Sequence, residues 1–503
     1  MSLRDKIANF WRTNKTAGKI VEAWRTSKIT ETWRTSKIAQ AWRSDKVWKI
    51  EWVYVAFISL IAIVTFFFVD LVSLTIWSTN LLDVILDGNL RGFYAFSAEN
   101  IHGVYHTIAG MEIFALIPHA IWNIPIWIAQ RFFHIEIVDS AVCLIWSKLY
   151  FVGLLAATCR VAFKISMLLN PDKNKARMVC FLSVSSIFVF TSIYYAGQND
   201  IFFLLLGLLS ISFLLKNKNG LFILFAGLSI LAKPFFLFPF VALLLLTEKN
   251  ILKIFGKLLV CLSFSLPFKV LFLGAPLYQE SLAAGSGHLI QRFVAEGMYP
   301  SGLGEFAPII VCLCVLYLFA FLKVPKDEAE RNSYVIYFTA AAFLLILLWT
   351  SVEYYRPLIL VPIVPLLLVH NTRFFKLNIL LEMIMSFSFS FTKLFQAEVY
   401  RTSYMKGLAP QLFGGIEGQE FTGLPYYLYS KQGYDDYMGI YLPAFQAVFV
   451  FSVLALIIIN FPAFRPKQIP LLDKTERWIL WVRLLIPLFF VGTALMCYGN
   501  FMP

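Results

Sequence analysis

The chain has 503 residues, of which 59% are hydrophobic and only 15% charged, with a formal net charge of +13. A water-soluble fold of this composition would carry more apolar side chain than it could bury, which excludes a soluble enzyme or binding domain and implies a polytopic membrane protein. Apolar runs near 20 residues, the length that a hydrocarbon core of roughly 30 Å demands of a helix, recur without period-two alternation, so a β-barrel is excluded as well. The expected fold is all-α, a transmembrane helical bundle of about 12–14 spans behind a basic N-terminal extension.

Residues 1–50 form that extension and contain a degenerate repeat, FWRTNK, AWRTSKI, TWRTSKI and AWRSDKV, with Trp11, Trp24, Trp33 and Trp42. Twelve Lys and Arg against four Asp and Glu give the segment a surplus of eight positive charges. On one continuous helix a nine-residue step turns each Trp by about 180° from the last, so the repeat builds no single amphipathic stripe. Short helical pieces lying on the membrane fit better, with Trp at headgroup level and Lys and Arg against anionic lipid. A disordered basic tail and an arm that docks a cytoplasmic protein partner are the alternatives. In each case the charge places the N-terminus in the cytoplasm. The first apolar run begins only near residue 52 and is too long for a signal-peptide core, so it is expected to remain in the mature chain.

Residues 51–503 are read as one transmembrane domain. Its first span, 52–77, would deliver residues 78–106 to the extracytoplasmic side. Further apolar runs follow at 113–128, 138–169, 179–195, 201–215, 221–232, 235–246, 251–273, 307–321, 334–349, 357–369, 379–395, 441–461 and 478–496. Basic loops at Lys173/Lys175/Arg177, Lys216/Lys218, Lys249/Lys253/Lys257 and Arg373/Lys376 read as cytoplasmic. They leave outer loops near 78–110, 275–306 and 396–440. One conflict arises: an even number of crossings must precede Lys173, yet three apolar runs lie there. Either the proline-broken 113–128 run is re-entrant or interfacial, or the 170s loop violates the charge rule. The seven Cys match no metal spacing and are expected to pack in the core.

Ionisable groups outside the cytoplasmic loops are functional candidates, because charge at membrane depth is costly. Asp83 and Asp87, one helical turn apart, are the candidate catalytic pair; a solvated helix face would look the same, and Asp87 before Gly88 also suits a turn. Candidate substrate and phosphate partners are Arg91, Tyr94, Glu99, His102, His106, Gln198, Asn199, Asp200, Lys233, Arg292, Tyr354, Tyr355 and Arg356. Carboxylates beside cations, where a lipid-anchored substrate can enter sideways, suit transfer of a group from a lipid phosphate. Lys233 before Pro234 is alternatively a snorkelling side chain, and Arg356 part of an aromatic belt. Asp70, inside the expected first span, reads as a helix-packing group. No cofactor, metal or nucleic-acid partner is expected.

The order LLDVILDGNLRGFYAF, AIWNIPIWI, SIYYAGQND, LAKPFFLFPF and YYRPLILVPIVPLLL resembles bacterial members of the GT-C superfamily of polytopic glycosyltransferases over roughly residues 50–370. The likeness is strongest from about 194 to 250, where GQND is followed by Lys233-Pro234. It implies an inverting glycosyltransferase of the bacterial cytoplasmic membrane. The donor would be a polyprenyl-phosphate sugar, the acceptor a cell-envelope glycan or lipid, and the site extracytoplasmic. An acid of the first outer loop would be the base, Asp83 foremost and Asp87 its competitor. The chain departs from the pattern at VYHTIAGMEIF, where His106 or Glu112 stands in place of the expected acid after a Tyr, and the Trp repeat lies outside it. A ligase or polymerase of lipid-linked glycans is the nearest alternative, and a lipid or oligosaccharide transporter the other, although no internal symmetry of halves accompanies it.

Overall fold

A computed structural model describes residues 49–100, 109–137, 140–283, 299–301, 304–349, 355–396, 405–406, 442–464 and 478–498. The Trp repeat and the candidates His102, His106, Arg292 and Tyr354 lie outside these residues. Contacts divide the chain into residues 1–56 and residues 57–503; the described part of the first is the opening of helix α1.

In chain order the principal helices are α1 Lys49–Thr65, α2 Val69–Leu86, α3 Phe93–Glu99, α4 Ile113–Trp122, α5 Ile124–Phe133, α6 Ala141–Leu169, α7 Lys173–Val184, α8 Asp200–Leu215 and α9 Asn219–Ala232. They continue with α10 Leu237–Thr247, α11 Ile251–Ser263, α12 Pro308–Leu322, α13 Glu328–Trp349, α14 Ile363–His370, α15 Phe375–Gln396, α16 Leu442–Ile459 and α17 Trp478–Tyr498. Among the described residues strand is limited to two short antiparallel ladders, Phe67–Phe68 with Met405–Lys406 and Tyr299–Ser301 with Gly304–Phe306. Starts are set by local chemistry. The Ser140 hydroxyl accepts from Cys143 N–H (3.3 Å) at the head of α6, and Asp172 accepts from Asn174 N–H (2.8 Å) at the head of α7, each satisfying an end donor that the helix cannot.

Among the described residues three helices, α6, α13 and α16, are long and apolar enough to cross a membrane, or up to five if two bent pairs each count as one span. The pairs are α4 with α5, bent by 68°, and α7 with Ile187–Tyr195, bent by 49°. Six other apolar helices are shorter, so the expected 12–14 full-length spans are not what helix lengths alone deliver. Large apolar side chains such as Leu252 (82% exposed) and Val142 (77% exposed) face outward, as on a surface solvated by lipid. α13 is the most enclosed of the three long helices and forms the core with α10 and α14.

The helix ends sort by chemistry. Lys249 Nζ donates to the carbonyls of Ala320, Phe321 and Lys323, Arg331 pairs with Asn217, and Tyr334 packs on Phe461 beside the Asn371–Asn378–Asn460 amide cluster. This basic end gathers 215–218, 248–250, 320–334, 371–378 and 460–461. The opposite ends of the same helices carry Gln198, Asp200, Lys233 and Arg356.

The expected first span is not continuous. α1 stops at Thr65, and α2 starts at Val69 with Asp70 in its first turn. The backbone between them is bonded elsewhere: Phe67–Phe68 pairs with Met405–Lys406, and Lys148 of α6 caps α1 by donating to Ala62 O (3.5 Å), Ile63 O (3.2 Å) and Phe66 O. Asp70 is therefore not a packing group within a span. Because Lys148 lies near the start of α6, α1 and α6 meet at one end. The stretch between them leaves from that end and returns to it. The break expected in the proline-containing 113–128 run is present as the 68° bend between α4 and α5.

Candidate active site

The end opposite the basic loops holds a buried charge cluster built on helix breaks. Asp200 opens α8, Lys233 ends α9 before Pro234, and Arg356 opens the 3-10 turn Arg356–Leu360. The Asp200 carboxylate is 4% exposed; its Oδ1 is paired with Lys233 Nζ, and its Oδ2 faces Arg356 Nη1 at 3.6 Å. Lys233 and Arg356 stay 21% and 17% exposed in front of it. Both cations lie over the Phe235 ring, 5.6 and 5.8 Å from its centroid. The Ser192 hydroxyl donates to Tyr355 O at 2.6 Å and holds the arginine's backbone in place. Asp200 thus anchors two partly exposed cations side by side, an arrangement suited to an oxyanion.

Asp70 belongs to this cluster. Gln198 Nε2 donates to Asp70 Oδ2, and Asp70 is near enough to Lys233 to favour its charged form. Burial is the larger influence on Lys233 and pushes its ammonium down to about 8, with Arg356 adding to the fall and Asp200 and Asp70 opposing it. Gln198 reaches Asp70 from a segment of tight geometry: the π-helical turn Phe190–Tyr195 precedes it, and Gly197 has φ +64°. A Cβ on Gly197 would stand 2.7 Å from Leu71 Cδ1, against the residue next to Asp70. Gly197→Ala is expected to cost about 1–2 kcal/mol for the left-handed backbone alone, and more once Leu71 is displaced. Thermal unfolding of the purified variant in detergent checks it, as a lowered midpoint.

The other sequence candidates lie elsewhere. Asp83 Oδ1 accepts from Trp127 Nε1 (2.8 Å) and Arg131 Nη1 (3.1 Å), which ties α2 to α5. Thirteen residues of one helix separate it from Asp70, about 20 Å at 1.5 Å per residue. Asp87 is exposed in the turn that ends α2. Arg91 and Glu99 line a cleft of about 500 Å³ with Asn89, Phe96 and Gly274–Pro276, and Arg91 Nη2 donates to Leu273 O at 2.7 Å. The Tyr94 hydroxyl donates to Met111 O (3.2 Å), and its ring packs on Phe272 and Tyr278. The Tyr278 hydroxyl donates to Glu112 Oε1 at 3.4 Å; burial lifts the Glu112 carboxyl above its usual range and pushes the Tyr278 phenol up to about 12. Asn199 donates to Ala115 O (2.7 Å), joining the head of α8 to α4. Gln198, Asp200, Lys233 and Arg356 therefore come together, and the acid beside them is Asp70. Among the described residues no three His, Cys, Asp or Glu side chains come together to hold a metal ion.

Neither a family model, nor a curated protein, nor a solved structure matches the chain.

Proposed function

We infer that the protein is an integral membrane glycosyltransferase that takes a sugar from a polyprenyl-phosphate donor, with inversion, and delivers it to a hydroxyl of a cell-envelope glycan or lipid. The observation that carries this reading is the pair of partly exposed cations, Lys233 and Arg356, fixed over buried Asp200 with the Asp70 carboxylate alongside. Together they offer an anion site and a base in one place. The gathering of basic residues at the other end of the bundle supports a cytoplasmic basic end and an extracytoplasmic site.

The base is assigned to Asp70 rather than Asp83. Asp83 spends its carboxylate on Trp127 and Arg131, and among the described residues no cation pair like Lys233 and Arg356 is bonded to it. In the proposed step the Asp70 carboxylate takes the proton of the acceptor hydroxyl as that oxygen bonds to the anomeric carbon. The bond from that carbon to the phosphate oxygen breaks on the opposite face, and its electron pair leaves with the polyprenyl phosphate. Lys233 and Arg356 stabilise the charge that develops there, and Gln198 orients Asp70.

Purified protein given a panel of synthetic polyprenyl-phosphate sugars, with native membrane extract as acceptor, is expected to consume one donor and release polyprenyl phosphate. Folded protein that consumes none overturns the reading. A second expectation follows from Lys233. Its ammonium loses its proton as pH rises through about 8, so donor affinity is full below that pH and falls above it. Lys233→Met should weaken the donor by about 1.5–3 kcal/mol, tenfold or more, at neutral pH and remove the dependence near pH 8. Donor binding measured by titration from pH 6 to 10 checks both, on about that scale.

A further inference from the structure

Lys148 is a charged side chain that the proposed chemistry does not use. It is fully buried within α6, and its Nζ meets backbone oxygens rather than a carboxylate. Three of these oxygens, those of Ala62, Ile63 and Phe66, end α1, and a fourth is Tyr194 O at 2.6 Å. The ammonium also stands 4.6 Å from the centroid of the Phe67 ring. The last carbonyls of a helix have no partner within it and carry the negative end of its dipole, so a cation there serves α1 as a cap. A cap alone does not require the bond to Tyr194 O. Tyr194 belongs to the π-helical turn that leads through Gly197 to Gln198, whereas Phe66 leads through three residues to Asp70. One ammonium thus holds the two backbone segments whose side chains meet as Gln198 and Asp70.

We propose that Lys148 is a positioning residue for glycosyl transfer: it clamps the end of α1 to the Tyr194 turn, and so fixes the Asp70 carboxylate against Gln198. Two further contacts reinforce the same joint. Phe66 packs on Tyr195 with ring centroids 5.6 Å apart, and Leu71 fills the space beside Gly197. Lys148 itself touches none of Asp200, Lys233 and Arg356, and those three hold one another over Phe235, so its loss misplaces the base while the two cations stay paired with Asp200.

The kinetic arm of the test rests on the glycosyltransferase reading; the structural arm does not. In Lys148→Met, amides of residues 66–72 and 194–200 are expected to exchange hydrogen about tenfold faster than in wild type, while those of α9 and α13 keep their protection. Turnover falls about 10²-fold with donor KM unchanged within about threefold, as expected when a base is misplaced by an ångström or so and substrate binding is spared. Lys148→Gln, which keeps two N–H donors, takes the place of Met if that variant is not recovered folded, and should lie between it and wild type. Wild-type exchange at both segments in either folded variant overturns the proposal, as does faster exchange at only one of them. Loss of protection throughout the helices, with KM and turnover failing together, also overturns it, because Lys148 would then be a stability element only. If wild-type protein consumes no polyprenyl-phosphate sugar, the functional reading falls and the exchange result alone decides the clamp.

Discussion

Asp70→Asn is expected to lower glycosyl transfer by about 10³-fold while leaving the protein folded and the donor bound, whereas Asp83→Asn leaves turnover within about tenfold of wild type. The asymmetry follows from what each carboxylate touches. Asp70 stands beside the Lys233–Asp200–Arg356 cluster and is oriented by Gln198; its amide replacement keeps the volume and a hydrogen-bonding oxygen but cannot take a proton. In the proposed site the donor phosphate is held by Lys233 and Arg356, so donor binding is expected to survive. Asp83 fastens α2 to α5 through an indole and a guanidinium, with Arg131 57% exposed, and an ion pair in that setting is worth at most about 1 kcal/mol. Its replacement therefore loosens the bent helix pair without removing a reacting group. Transfer assays on the two variants, with donor affinity measured beside them, check the assignment. Full activity of Asp70→Asn together with loss in Asp83→Asn would return the base to the outer loop.

What the sequence disclosed, and what it hid, divides along the reach of each interaction. Asp200, Lys233 and Arg356 were legible because each interrupts an apolar stretch at a break marked by a neighbouring Gly, Pro or Tyr, and an ion placed there needs a partner. That they were one another's partners was not legible. The contacts join residues 33 to 156 positions apart, and no local period reports them. Asp70 was hidden by the apolar run around it. Residues 52–77 read as one helix because the break at Phe66–Phe68 comes from Lys148 and from residues 405–406, both remote in the chain. The polar interval 78–106 drew attention to Asp83 by its density of charge, yet the residues described there point to one another's neighbours, Trp127, Arg131 and Leu273, rather than to the cluster. Helix lengths differ from the apolar runs for a related reason. Hydropathy registers apolar length, but Asn123, the Ser185–Ser186 turn and the Lys233–Phe236 turn cut apolar runs into bent or short helices without an apparent change in composition.

Arg483 and Glu382 carry the same lesson into stability. Each interrupts an apolar run, the signature of an intramembrane pair. In the structure Arg483 Nε and Nη2 donate to the two Glu382 oxygens at 2.7 and 2.8 Å, and the remaining donors reach Ser185 Oγ (2.5 Å) and Leu182 O (2.9 Å). At 3% and 6% exposure, the pair links α15 and α17 to the bend that follows α7. A planar guanidinium meeting a carboxylate with two parallel bonds satisfies nearly all its donors, which is how such a pair tolerates burial. Removing one member strands the other. Glu382→Leu is expected to destabilise the protein by about 3–5 kcal/mol, since the guanidinium keeps only a hydroxyl and a carbonyl. Replacing both, Glu382→Leu with Arg483→Met, should restore most of that stability, because two well-packed apolar groups avoid the desolvation that the ions undergo. Unfolding of the single and double variants in detergent, followed by far-UV circular dichroism, separates these outcomes. A single variant as stable as wild type would mean that water or lipid headgroups reach Arg483. A double variant no better than the single would mean that the bonds to Ser185 and Leu182, and with them the bend before the Gln198 segment, depend on the guanidinium itself.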